Sequence, residues 1–240
     1  MHISRPFSRG LKFVAFAVAL VGSAILRAAE PGAVAPAKTD PAILKRAAAW
    51  VGELGLADPA KSERVRAVIA AHLTTVRDWH NAHPYTTVPE GVNPATGKPL
   101  SKLDREMIAD GAMPKTVHAA LMSGLRADLT EAQVEAILDK YTVGKVAFTL
   151  KGYHAIVPDL TAEEEKIILG FLQQAREEAV DYKSMPQISA IFEIYKTKSE
   201  QYLISRGRDW KALFRAYVQK VQAEKAARKA APAPEPAKAN

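Results

Sequence analysis

Apolar residues recur along this chain at helical spacing, and no segment sustains a period of two. Ile43, Ala47, Val51 and Leu54 predict a first helix from about Pro41 to Leu54, with Gly55 at its end. Asp58 before Pro59 opens a second, whose apolar face is Val65, Val68, Ile69, His72, Leu73, Val76, Trp79 and His80. The pattern stops from Asn81 to Pro99, where Pro84, Pro89, Pro94 and Pro99 punctuate the chain. A stretch of this kind is either a binding loop, a disordered segment or an ordered surface loop. Gly91 and Gly97 have five residues between them and Pro99 follows Lys98, so this is not a phosphate-binding loop.

Helical periodicity resumes at Ser101, with Asp104 three residues on, and breaks at Gly111 and Pro114. Pro114 opens a helix carrying Val117, His118, Leu121 and Leu125. Two nearly identical phrases come next, Leu129-Thr130-Glu131-Ala132-Gln133 and Leu160-Thr161-Ala162-Glu163-Glu164. A Thr N-cap with Gln or Glu three residues later satisfies two orphan backbone donors, and the preceding Leu acts as a staple. Between them, Val143 to Leu150 is rich in β-branched residues but reads as helix, ending at Pro158. The Thr161 helix runs to about Tyr182, burying Ile168, Phe171, Leu172, Ala175 and Ala179. Ser184 and Pro186 start another, stopped by Gly207, and Asp209 caps the last, with Trp210, Leu213, Phe214, Tyr217, Val218 and Val221 on one face. The fold class is all-α, an irregular bundle of about 7–8 helices.

Composition changes this picture only at the two ends. Arg5, Arg9 and Lys12 precede an apolar run of 14 residues, Phe13 to Leu26, and small residues follow. Residues 1–28 therefore read as a signal peptide cleaved near Ala28, too short for a stable membrane anchor. The protein is expected to be exported, to the periplasm or beyond. Residues 29–39 form an Ala/Pro-rich spacer, 40–224 one helical domain, and 225–240 a disordered Lys/Ala/Pro tail. The net charge of +7 belongs to the ends, with four basic groups in residues 1–28 and a net +3 in 225–240. The body is balanced, which gives no footprint for nucleic acid. The chain has no cysteine, which excludes disulfides and thiolate chemistry.

The candidate chemistry lies in the second half. Arg176, Glu177 and Asp181 share one helix, with Glu177 and Asp181 four residues apart on one face. Tyr195 and Lys196 stand on the next helix. Together they suggest a polar ligand pocket between two helices, the plainer alternative being a solvated charged face or an ion pair to another helix. Tyr85, in the proline-rich stretch, is the freest aromatic to meet a sugar ring, whereas Trp79 and Trp210 sit at core spacing. His72 and His118 read as hydrogen-bonded core histidines, and no metal-binding spacing code or cofactor fingerprint is present.

Several motifs stand in a particular order: His118, Leu129-Thr130-x-x-Gln133, Tyr141-Thr142-Val143-Gly144, Val157-Pro158-x-Leu160-Thr161, Ala175-Arg176-Glu177-x-Ala179-x-Asp181 and Phe192-x-x-Tyr195-Lys196. In this order they resemble a family of exported bacterial proteins known as a domain of unknown function. The resemblance spans roughly Ala70 to Gly207. Its members tend to be encoded near polysaccharide-degrading enzymes, pectin-related ones among them. Thr197-Lys198-Ser199-Glu200 and Val180 depart from the family's usual residues. The resemblance implies an accessory or ligand-binding role in polysaccharide utilisation, with an oligosaccharide or a protein as partner. A glycan-acting lyase or hydrolase is the second expectation. The paired Leu-Thr phrases are also similar to those of Spy-type periplasmic chaperones, which makes a third.

Overall fold

The computed structural model describes residues 40–230. The expected signal peptide, the spacer and residues 231–240 lie outside the described residues. Within them the chain forms nine α-helices and no strand: α1 Pro41–Gly52, α2 Pro59–Ala82, α3 Lys102–Gly111, α4 Lys115–Asp128, α5 Glu131–Thr142, α6 Lys145–Ile156, α7 Ala162–Ala179, α8 Met185–Ser205 and α9 Trp210–Ala230. The all-α class is as expected, with a helix more than the count predicted. The last helix continues to Ala230, past the domain end expected at 224. No described helix is long and apolar enough to cross a membrane.

Helix starts follow local chemistry. Full capping boxes stand at Ser101/Asp104, Thr130/Gln133, Thr161/Glu164 and Ser184/Gln187. Both repeated Leu-Thr phrases are therefore helix starts, which accounts for them without shared ancestry. The β-branched stretch resolves as helix from Lys145 onward. The two residues ahead of it are left-handed: Val143 at φ 54° and Gly144 at φ 65° turn the chain sharply between α5 and α6. Gly144 takes that conformation freely; a β-branched residue does so only at a cost.

The proline-rich stretch is an ordered loop. Tyr85–Thr87 make one 3-10 turn, and Val92 pairs with Pro99 in a single antiparallel bridge. Arg105 of α3 closes the loop by donating to the Val88 carbonyl at 3.0 and 2.6 Å. Lys102 and Arg105 lie over the Tyr85 ring, 5.3 and 5.4 Å from its centre.

The apolar interior falls into two clusters. The first joins α1, α2, α4 and α5 through Val51, Val65, Ile69, Leu121, Leu125 and Ile137. The second joins α6, α7 and α8 through Tyr153, Ile168, Leu172, Ile191, Phe192 and Leu203, with Trp210 of α9 packed against it. The end of α7 belongs to both, since Ala179 packs in the second cluster and Val180 in the first. α9 is tied down by Arg208, just ahead of it, which reaches Glu164 at 2.8 Å and Asp159 at 2.7 Å. The Arg208 hydrogen bonds hold the Glu164 carboxyl down at about 2, helped by the Thr161 cap.

α2 and α4 approach closely at Gly124. A Cβ built there would lie 2.7 and 2.8 Å from the two methyls of Val68. Rotating a helical Val about χ1 is unfavourable, and both methyls are already in the way. Gly124→Ala is therefore expected to destabilise the protein by about 1–2 kcal/mol, although alanine is the better helix former. Chemical denaturation of the two proteins checks this, and a more stable variant would show that the helices can part without cost.

Candidate functional site

The seam between the two clusters carries the polar groups. Asp181 sits two residues beyond the end of α7 and accepts from two imidazoles. His72 Nε2, on α2, is 3.0 Å from Oδ1, and His118 Nδ1, on α4, is 2.9 Å from Oδ2. An ionised carboxylate only accepts, so each ring donates through the nitrogen facing it. That leaves His72 Nδ1 bare, in a residue 4% exposed, with no partner among the described residues. It leaves His118 Nε2 turned toward Glu177, 3.6 Å away. The His72 and Tyr141 rings meet edge to face, 5.4 Å between centres.

A second imidazole–carboxylate pair lies one stretch further along α2. His80 Nδ1 is 2.7 Å from Oδ2 of Asp110, at the end of α3. Gln187 Nε2 donates to the same oxygen at 2.5 Å, while its Oε1 accepts from the Ser184 backbone in the α8 cap. The capping residue of α8 thus also anchors a buried carboxylate. The other oxygen, Asp110 Oδ1, is buried and has no partner among the described residues.

Both carboxylates line one open cleft of about 590 Å³. Its walls are Lys115 and His118 of α4, Gln174, Glu177 and Glu178 of α7, and Tyr182 and Tyr195. The Tyr195 hydroxyl donates to Glu178 Oε2 at 2.9 Å. Burial, and then that carboxylate, push the Tyr195 phenol up to about 12. The Asp181 hydrogen bond raises the His118 imidazole above its ordinary value, against a smaller opposing effect of burial. For Asp181 burial acts upward, and the bonds from His118 and His72 together outweigh it, leaving the carboxyl below the usual range.

Of the residues singled out in the sequence, the structure brings Glu177, Asp181 and Tyr195 into this cleft. Arg176 points the other way. It is 3% exposed and pairs with Glu135 and Asp139 of α5 at 2.7 and 2.8 Å, bracing α5 on α7. Glu177 is the next residue, and one step along a helix turns the two side chains about 100° apart. Lys196 pairs with its neighbour Glu193 on the surface at 2.9 Å, and only its backbone carbonyl is used inside, by the Tyr153 hydroxyl. Tyr85 stays with the proline-rich loop, outside the cleft lining. His118 is hydrogen-bonded as expected, but its ring stands on the cleft wall, not in the core. Asp110 carried no signal in the sequence, because what makes it notable is the approach of His80 and Gln187 from distant positions. No group of three or more metal-binding side chains among the described residues is arranged to hold an ion.

The fold and cleft define an all-α protein with an open pocket lined by carboxylates and imidazole. The chain belongs to the family described as protein of unknown function (DUF3826), whose model matches residues 41–223. No curated protein matches it.

The pair chemistry sets a pH window. His118, raised in the folded state, contributes stability that is complete below its ordinary value of 6.5 and is lost as pH rises through the folded value. Asp181, lowered, contributes above its ordinary 3.8 and loses this as pH falls through its folded value. The pair stabilises most between those limits. An NMR titration of the His118 ring should give a midpoint above 6.5, and Asp181→Asn should bring it down. A midpoint unmoved by the substitution would mean that the contact does not persist in solution.

Proposed function

We propose that this is an exported ligand-binding protein of polysaccharide utilisation, and that the cleft beside Asp181 takes an oligosaccharide. The single observation behind this is the cleft itself: about 590 Å³, open to solvent, with two tyrosines among hydrogen-bonding side chains. Its size lies within the range of roughly 300–1,000 Å³ usual for small-ligand sites. Carboxylates, an imidazole and two tyrosines around one opening suit a ligand with many hydroxyls. The basic Arg5–Lys12 segment and the apolar Phe13–Leu26 run support export. The motif order from His118 to Lys196 supports the glycan context.

A second reading, a glycan-acting lyase or hydrolase, is favoured by His118. Its Nε2 faces the cleft, its tautomer is held by Asp181, and His72 holds Asp181 from behind. A positioned imidazole of this kind can take a proton from a bound ligand or return one. Arg176 and Lys196 have no part in that reading, since neither lines the cleft.

Calorimetric titration with neutral hemicellulosic and pectic oligosaccharides tests the first reading. Binding at millimolar affinity or better is expected, weakened about fivefold or more by Glu177→Ala, a change at a half-exposed side chain that leaves the fold intact. No binding at millimolar ligand would end it. Mass spectrometry of the same mixtures separates the readings: cleavage products abolished by His118→Ala mean an enzyme, and unchanged ligand means a binding protein.

A further inference from the structure

The last helix carries a surface that neither the core nor the cleft uses. α9 packs on α6 and α8, with Trp210 and Leu213 against the second cluster, and no residue of α9 lines the cleft. From Gln222 to Lys229 every side chain is exposed. Residues 210–230 hold six basic groups against the single acid Glu224, while residues 29–209 are close to neutral. None of the six forms an ion pair among the described residues.

Helical rotation sorts these groups. Lys211, Phe214, Arg215, Val218, Lys225 and Lys229 fall within one arc of about 100°, and Glu224 falls outside it. All but Val218 are exposed, the Phe214 ring at 46%. That ring is held in place, because it stacks on Trp210 at 6.1 Å between centres and Trp210 packs against the second cluster. Helix stability does not account for the charges. Arg228 and Lys229 suit the negative end of the helix dipole, but Lys211 stands in the first turn, where positive charge is unfavourable and no acid offsets it. Lys211 and Lys229 lie roughly 27 Å apart along the axis. Four cations strung over that length cannot converge on a small anion. They match a plane of negative charge, and the exposed ring among them matches the hydrocarbon beneath such a plane.

We propose that this face of α9 docks the protein on an anionic phospholipid surface, with Lys211, Arg215, Lys225 and Lys229 against the headgroups and the Phe214 ring entering the acyl boundary. The helix lies along the surface and does not span it, in keeping with the lack of any described helix long and apolar enough to cross. The inference is independent of what the cleft binds.

The test is co-sedimentation with vesicles, using the mature chain from Ala29 onward so that the apolar Phe13–Leu26 run takes no part. One set of vesicles is phosphatidylcholine alone, the other a two-to-one mixture of phosphatidylcholine and phosphatidylglycerol. The mixed vesicles are expected to bind about tenfold more tightly or better at low salt. Raising salt from about 0.1 to about 1 M shortens the screening length from about 10 to about 3 Å and should remove the difference. Lys225→Glu with Lys229→Glu, at exposed positions, should cut binding about tenfold or more while leaving the core untouched. Phe214→Ala should weaken it about fivefold, with circular dichroism showing that α9 persists. Soluble polygalacturonate serves as the competing polyanion. Salt-sensitive vesicle binding that falls in both variants sustains the inference. Equal binding to the two kinds of vesicle, no vesicle binding, or binding unmoved by the double substitution overturns it. Unchanged binding of Phe214→Ala overturns the placement of the ring. Tight binding of polygalacturonate without vesicle binding makes the face a polyanion site and overturns the lipid reading.

Discussion

The Asp181 carboxylate is the constraint on which the rest of this molecule depends. It sits where the two apolar clusters meet, directly after Val180, which belongs to one, and near Ala179, which belongs to the other. A carboxylate at such a seam is tolerated only if donors replace the water it loses. Two are supplied, from α2 and from α4. Those two helices carry the first cluster, while Asp181 itself follows the main helix of the second. The hydrogen bonds therefore fix how one half of the bundle sits on the other. Apolar packing alone would tolerate some sliding along a helix pair. Two directional bonds at 2.9–3.0 Å do not.

The length of α2 follows from the same requirement. At 24 residues it is the longest described helix, and it must reach both Asp181 and Asp110. His72 and His80 are eight residues apart, so their positions differ by roughly 12 Å along the axis. One rigid rod thus sets the spacing of two carboxylates that come from different helices. Gln187 adds the second hold on Asp110 by using a residue already committed to the α8 cap. The cleft is consequently built on helices and helix ends, not on loops, and its charged groups have little freedom to rearrange. The proline-rich loop, with its own cation–π contacts and backbone bridge, stays outside that framework.

Much of the fold was legible because its signals are local. The caps at Ser101, Thr130, Thr161 and Ser184 read directly from residue type and spacing, and the apolar stripes gave the inward faces. The site was legible only in part. Four-residue spacing puts Glu177 and Asp181 on one side of the chain, although α7 ends at Ala179 and Asp181 lies in the turn after it, and Tyr195 stands on the neighbouring helix. Arg176 was assigned to the same group because it is adjacent in sequence. Adjacency on a helix means a different direction, and the acids of α5 claim it instead. Lys196 fails for the same reason, one step from Tyr195. His118 and Asp110 could not be recognised as cleft residues, because their partners lie 63 and 77 positions away. Distances of that kind belong to the packing, and no periodicity encodes them.

Buried atoms without a partner among the described residues occur at the seam and away from it: Asp110 Oδ1 and His72 Nδ1 on one side, Arg66 Nε, Arg176 Nε and the Tyr202 hydroxyl on the other. In a structure built for stability alone, a buried acid is either fully satisfied or replaced by an apolar residue. Asp181 meets that standard, since both of its oxygens are engaged. Asp110 does not, although the fold spends two donors on orienting it. His118 follows the same logic in milder form, one nitrogen held by Asp181 and the other left facing the cleft. These two groups line one opening, while Arg176, a buried charge away from it, pairs with two carboxylates through its terminal nitrogens and keeps Nε without a partner among the described residues. What sets the seam apart is its opening: His118, Glu177 and Asp181 meet at a cleft, whereas the Arg176 ion pairs close the α5–α7 contact.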